Sequence, residues 1–202
     1  MFAQKFEQAR QYAVHRLERE LSPNLLYHRF AHTRDDVVQS ANLLADMEGI
    51  QGESRYLLLT VAWFHDIGFV QQSADHELIG ARIASEVSPG FGYTDEQVEI
   101  VRGAILATII PQTPTNILEK IVADADLNVL GREDFILRNG VLRREPAFFG
   151  KVYSDFEWYA GQIQFAEMHT FFTASARALW NAAKVKNLAN LKHAFEALSE
   201  KE

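Results

Sequence analysis

Hydrophobic residues recur along the chain at the spacing of amphipathic α-helices, and alternating runs typical of β-strands are few. Helix-ending signals such as proline and glycine separate the periodic segments. The pattern therefore predicts an all-α protein. The predicted helices cover approximately residues 2–21, 31–47, 53–67, 75–87, 95–108, 116–130, 155–183 and 188–198.

The predicted helix over residues 53–67 has no polar face. Its apolar residues are Leu57, Leu58, Leu59, Val61, Ala62, Trp63 and Phe64. Because a helix that is apolar on all sides is normally buried, we expect this one to lie at the centre of the fold. The length of 202 residues is that of one domain, and we expect a single domain over residues 1–202.

Charge and composition narrow the classes of function. The formal net charge of −7 argues against a protein that binds nucleic-acid polymers through their phosphates. The chain has no cysteine, so histidine and carboxylate side chains are its strong metal ligands. No apolar stretch approaches the roughly 20 residues that span a bilayer, and the first residues carry charges. We therefore expect a cytoplasmic protein without membrane contact.

Candidate chemistry lies where His65 and Asp66 follow the apolar helix. His65 lies one turn after Val61 and Asp66 one turn after Ala62, so both side chains are expected to point inward. A buried carboxylate without a partner is strongly unfavourable, and no lysine or arginine lies within one turn of Asp66. The sequence therefore predicts a bound cation with further ligands from other helices.

Two carboxylates on a later helix are candidates for such a ligand. Asp126 lies on the row of Val122 and Leu130, beside an apolar stripe, whereas Asp124 lies on a row expected to face water. We therefore predict Asp126 as the ligand and Asp124 as a candidate partner that orients a ligand histidine. The alternative is a solvated helix end without a functional role.

Spacing alone leaves three further histidines open. His28 and His32 are four residues apart and share one helix face if that helix begins early enough. His76 begins the apolar stripe of its helix. A histidine on an apolar face is as often a hydrogen-bonded core residue as a ligand.

Three short segments match a known family in order and spacing. They are Tyr27-His28-Arg29-Phe30-Ala31-His32-Thr33, Phe64-His65-Asp66-Ile67-Gly68 and Asp124-Ala125-Asp126-Leu127. Together they resemble the HD-domain superfamily of metal-dependent phosphohydrolases, over about residues 22–135. Residues 105–108 and 111–114 also resemble a bacterial branch of that superfamily.

The resemblance implies an HD-domain-like helical bundle with a metal-site core over about residues 22–135. Additional C-terminal helices follow over about residues 136–202. Residue by residue, it implies that the metal ligands are His32, His65, Asp66 and Asp126. His28 resembles the histidine that donates a proton to the leaving oxygen in related phosphodiesterases.

The ligand types suit Mn, Fe, Co, Ni, Zn and, less well, Mg. We expect one divalent ion, because His76 is the only histidine between Asp66 and Asp126. A second ion requires Asp66 to bridge and His76 or water to complete the site.

The function implied is hydrolysis of a phosphate ester or anhydride in a small, nucleotide-like substrate. Asp66 or Asp126 is expected to accept a proton from metal-bound water, and Arg29, Arg82 and Arg132 are candidates for gripping phosphate. The main alternative is a nucleotide-binding or regulatory module that retains the metal with little or no turnover. A di-iron oxygenase requires histidines that this chain lacks, and a purely structural helical protein needs no metal. The sequence leaves a homodimer open, with the aromatic C-terminal segment as core, pocket wall or dimer face.

Overall fold

Helices make up the regular structure of this protein in the computed structural model, which describes residues 2–199. No strand occurs within that range, so the predicted all-α class is confirmed. The nine α-helices of the described chain are α1 (Phe2–Glu20), α2 (Val38–Met47), α3 (Gly52–Phe64), α4 (His76–Val87), α5 (Asp95–Leu106), α6 (Ile117–Asp126), α7 (Phe135–Arg144), α8 (Asp155–Met168) and α9 (Ala174–Ser199).

The chain forms two compact units. One comprises Met1–Pro23 and His28–Asp126, and the other comprises Asn24–Tyr27 and Leu127–Glu202. The single domain over residues 1–202 stays a prediction. No helix in the described part of the chain combines the length and apolar character needed to cross a membrane.

Helix α3 is the centre of the first unit, as its pattern predicts. It packs against α1, α2, α5 and α6, and its side chains Leu58, Val61, Ala62 and Phe64 are completely buried. The helix ends at Phe64 rather than near residue 67, and a 3₁₀ turn over Ile67–Val70 follows it. His65 and Asp66 therefore lie in the bend between two helical segments.

Two further helical elements carry candidate site residues, one earlier in the chain than this bend and one later. A π-helical turn over His32–Val37 leads directly into α2, inside the region predicted as one continuous helix. Helix α6 ends at Asp126, earlier than the predicted end near residue 130, and a 3₁₀ turn over Asn128–Gly131 follows. The candidate site residues therefore lie at helix ends, where regular periodicity stops predicting the direction of a side chain.

The second unit differs more from the sequence prediction. Helix α7 occupies residues that we expected to form a loop, because Gly140 lies in its interior and weakens the helical signal. The continuous helix predicted over residues 155–183 is wrong: α8 ends before His169, whose backbone is extended, and α9 begins after Thr173. The hydroxyl of Thr173 accepts a hydrogen bond from the backbone N–H of Ala176 at 3.1 Å, which starts the new helix.

Candidate metal centre

His65 and Asp66 are both buried in the bend after α3, as the sequence predicts, with 1% and 4% of their surfaces exposed. Nδ1 of His65 lies 2.8 Å from the carbonyl oxygen of Ala62. A carbonyl oxygen only accepts hydrogen bonds, so Nδ1 carries the proton, and in the neutral ring Nε2 keeps its lone pair. That nitrogen faces Asp66, with 3.2 Å between Nε2 and Oδ2.

His32 reaches the same point from the π-helical turn. Its ring is 4% exposed. Its Nε2 lies 3.7 Å from Oδ2 of Asp66 and 3.5 Å from Oδ1 of Asp126. π-Helical turns are rare and frequently occur at functional sites, and this one begins at His32 itself.

Asp126 completes the cluster from the last residue of α6. Its Oδ1 lies 3.6 Å from Nε2 of His65 and its side chain is 18% exposed. The expectation that Asp124 faces water is wrong, because Asp124 is completely buried. Helix α6 packs against the π-helical turn, α2, α3 and α5, so it is enclosed on more sides than its amphipathic pattern indicates.

The spacing of these donor atoms fits one metal ion. Ligand atoms about 2.1 Å from an ion lie about 3.0 Å apart at an octahedral right angle and about 3.4 Å apart in a tetrahedron. The separations given above among His32, His65, Asp66 and Asp126 run from 3.2 to 3.7 Å. His32, His65 and Asp66 each offer one donor atom, and these three atoms lie within 4.8 Å of one another.

Two of the donor atoms are buried without a hydrogen bond. Nε2 of His65 and Oδ2 of Asp66 make no hydrogen bond to any residue that the structure describes. Buried polar atoms are normally satisfied, and an exception calls for a ligand or an ion. Two aspartates and two neutral histidines also balance the charge of a divalent cation. The residues present therefore fit a divalent metal ion.

Electrostatics in the cluster favour positive charge. Burial by itself would lower the pKa of His32, but the nearby carboxylates of Asp126, Asp36 and Asp66 raise it to about 10. Burial likewise opposes the charged form of His65, yet Asp66 and Asp126 raise its pKa. The pKa of Asp66 is held well below its ordinary value by His65 and His76, although burial acts to raise it. The electrostatics of the cluster therefore favour a cation, either a proton or a metal ion.

Two more histidines lie beside the cluster. Nε2 of His76 lies 3.4 Å from Oδ1 of Asp66. The structure therefore places His76 in contact with a proposed ligand, a position that spacing alone does not predict. His28 is half-buried, with its ring centroid 5.7 Å from that of His32. Phe69 contacts both, with ring centroids 4.7 Å from His28 and 3.9 Å from His76.

Sequence reasoning missed Asp36. This carboxylate is 5% exposed, and its Oδ2 lies 3.6 Å from Nδ1 of His32. The sequence feature that could have identified Asp36 is its position four residues after His32, on the same face of a helix.

The three arginines considered for phosphate binding lie at the surface or in the other unit. Arg82 donates a hydrogen bond of 2.8 Å to Gln71 and is exposed, as is Arg29. Arg132, in the second unit, makes a forked contact with Asp134.

The comparison with protein families matches the part of the chain that carries the cluster. Residues 29–127 match the family model described as the HD domain, and this range contains His32, His65, Asp66 and Asp126. The comparisons with curated proteins and with solved structures give no match.

Proposed function

The chain belongs to the HD-domain superfamily of metal-dependent phosphohydrolases, and on this basis we propose that it hydrolyses a phosphate ester or anhydride in a small, nucleotide-like substrate. The observation that supports the proposal best is the convergence of four donor atoms from three parts of the chain. Nε2 of His32 and Nε2 of His65 each lie 3.2–3.7 Å from a carboxylate oxygen of Asp66 and from one of Asp126, close to the spacing of neighbouring ligands on one divalent ion.

A divalent ion bound there would supply a nucleophile at neutral pH, by acidifying bound water, and charge neutralisation for the phosphoryl oxygens. The chain's own contribution is to fix the ligands before the substrate arrives. Ala62 fixes the ring of His65 through its carbonyl oxygen, and burial at helix ends restricts the movement of His32 and Asp66. This preorganisation lowers the reorganisation needed during the reaction.

Asp66 and His28 are the residues to which we assign proton transfer. Asp66 is the proposed acceptor for the proton of the attacking water, since Oδ2 faces the proposed ion site and Oδ1 faces His76. His28 is the proposed donor to the leaving oxygen. It is half-buried beside the cluster, so a substrate can reach it while its ring remains packed against Phe69.

The proposed partner is a small phosphorylated molecule rather than a nucleic-acid polymer or a membrane. The net charge of −7 disfavours binding to a polyanion, so recognition of phosphate must be local. We propose one ion per chain and a cytoplasmic location. A second ion would require Asp66 to bridge toward His76.

The test is elemental analysis of the purified protein, followed by phosphate release from a panel of nucleotides with Mn, Fe, Co, Ni, Zn or Mg added singly. We expect metal-dependent release that Asp66→Asn abolishes and that Asp95→Asn, a matched change at an exposed position, leaves intact. A nucleotide that raises the melting temperature of metal-loaded protein without phosphate release would instead establish a binding module. Full activity in Asp66→Asn would overturn the proposed mechanism.

A further inference from the structure

Asp36 is a buried carboxylate that the proposed reaction does not use. It lies in the π-helical turn four residues after His32, and both side chains are buried there. Arg34 and Asp35, between them in the sequence, are exposed and pair with each other. The turn therefore directs one aspartate inward and its neighbour into solvent.

The inward carboxylate lies at the opposite edge of the His32 ring from the metal centre. Oδ2 of Asp36 is 3.6 Å from Nδ1 of His32. The other ring nitrogen, Nε2, is the one that faces Asp66 and Asp126. The imidazole thus lies between Asp36 and the donor atoms of Asp66 and Asp126.

We propose that Asp36 is a positioning residue that keeps the proton of His32 on Nδ1, so that Nε2 presents its lone pair to the ion. A carboxylate next to Nδ1 stabilises a proton on that nitrogen and fixes the orientation of the ring. The inference rests on the metal-binding part of the proposed function and is independent of the reaction catalysed.

Nδ1 of His65 also has an oxygen partner, at 2.8 Å, compared with 3.6 Å between Nδ1 of His32 and Asp36. Nδ1 of His65 is fixed by the neutral carbonyl oxygen of Ala62, whereas the partner of His32 carries a negative charge. A charged acceptor increases the electron density of the ring more than a neutral one does, and so strengthens the metal–nitrogen bond. Asp36 therefore gives His32 a charged partner on the side away from the donor cluster, where His65 has a neutral one.

The first test compares the Zn²⁺ affinity of the full chain and its variants, measured by competition with a chromophoric chelator. Asp36→Leu, which removes the acceptor, is expected to weaken affinity roughly 10- to 100-fold. Asp36→Asn keeps an acceptor oxygen without the charge and is expected to lose less. The control Asp35→Leu, at the neighbouring exposed position, should stay within about twofold of the unchanged protein, as surface substitutions usually do.

The second test needs no substitution. In Zn²⁺-loaded protein, the ¹⁵N chemical shifts of His32 should show a protonated Nδ1 and a metal-bound Nε2. A proton on Nε2 would overturn the inference, even where Asp36→Leu fails to fold.

The outcomes separate this inference from the proposed function, because neither readout involves phosphate release. Equal Zn²⁺ affinity in Asp36→Leu and the unchanged protein overturns the role of Asp36 and leaves the metal centre standing. An unchanged protein that does not bind Zn²⁺ overturns both.

Discussion

Oδ1 of Asp66 lies 3.4 Å from Nε2 of His76, while Oδ2 of the same carboxylate faces His32 and His65. Nδ1 of His76 lies 3.2 Å from the carbonyl oxygen of Ser73, so this nitrogen carries a proton. Burial opposes a second proton on the ring, but the adjacent carboxylate of Asp66 raises the pKa of His76. His76 therefore holds Asp66 from the side opposite the proposed ion.

Removal of this contact should loosen the metal centre without removing a ligand. We expect His76→Gln to retain one ion per chain but to bind it roughly 10- to 100-fold more weakly, the usual effect of losing a partner of a metal ligand. Titration with metal, combined with elemental analysis, measures both quantities. His193→Gln, an exposed change in α9, is the control. Unchanged affinity would contradict this role, and a decrease from two ions to one would contradict the single-ion site.

Metal binding should become tighter as the pH rises through neutrality. Because the pKa of His32 in the metal-free site is about 10, this ring is protonated at pH 7, and the ion must displace its proton. Affinity should increase about tenfold per pH unit for each proton displaced, until the pH reaches the pKa. Calorimetry at pH 6.5 and 7.5, in buffers of different ionisation enthalpy, reports the protons released. An affinity independent of pH over this interval would show that no ligand is protonated.

Close packing of Gly68 against α4 should make that position intolerant of any side chain. A Cβ at Gly68 would lie 2.7 Å from the carbonyl carbon of His76 and 2.9 Å from the amide nitrogen of Gly80. Neither backbone atom moves without displacing α4. We expect Gly68→Ala to lower the free energy of unfolding by about 1–3 kcal/mol, as overpacking does, and to weaken metal binding by displacing His76.

The matched control for that substitution is Gly161→Ala in α8. This glycine is exposed, and its added Cβ would meet no atom within 4 Å. Alanine is favoured over glycine in a helix interior, so stability should rise by about 0.5–1 kcal/mol. Denaturant unfolding measures the free energy of unfolding of both variants. If the two substitutions change it equally, the contact of Gly68 with α4 is not close.

His169, between α8 and α9, should make stability depend on pH in mildly acidic solution. Its two ring nitrogens are buried without a hydrogen bond to any described residue, and its ring packs against Phe171 at a centroid distance of 4.7 Å. Burial, with a smaller effect of the Lys184 charge, lowers the pKa of His169 to about 4. In the unfolded chain the pKa is near the ordinary 6.5.

The contribution of neutral His169 is thus fully present above pH 6.5 and is lost as the pH falls toward 4. Each factor of ten in acidity corresponds to about 1.4 kcal/mol, so the loss is at most about 3 kcal/mol. Unfolding of metal-free His169→Phe, compared with the unchanged chain from pH 4 to 7, isolates this contribution. Parallel stability curves would show that His169 does not titrate differently in the folded state.

The sequence predicts the helical class and the burial of α3 because both depend on regular periodicity. It also places His65 and Asp66 in the interior, since each follows an apolar residue by one turn. Asp124 is predicted wrongly because a helix enclosed by four neighbours buries even its polar row. Periodicity along one helix records the average environment of a face and not the packing at one residue.

Long-range geometry is the part that local pattern cannot supply. The approach of His76 to Asp66 depends on Gly68, whose missing side chain lets α4 pack against the preceding turn. The inward direction of Asp36 depends on a π-helical turn, which has no strong sequence signal. The resemblance to the HD domain implied the ligand set because family motifs record tertiary proximity that periodicity does not.

The most direct test of the account is anomalous diffraction from crystals of the protein loaded with Mn²⁺. We predict one anomalous peak per chain, about 2.2 Å from Nε2 of His32, Nε2 of His65 and one carboxylate oxygen each of Asp66 and Asp126. A Mn²⁺ peak at any other place, or these four side chains directed away from one another in the loaded protein, would contradict the account.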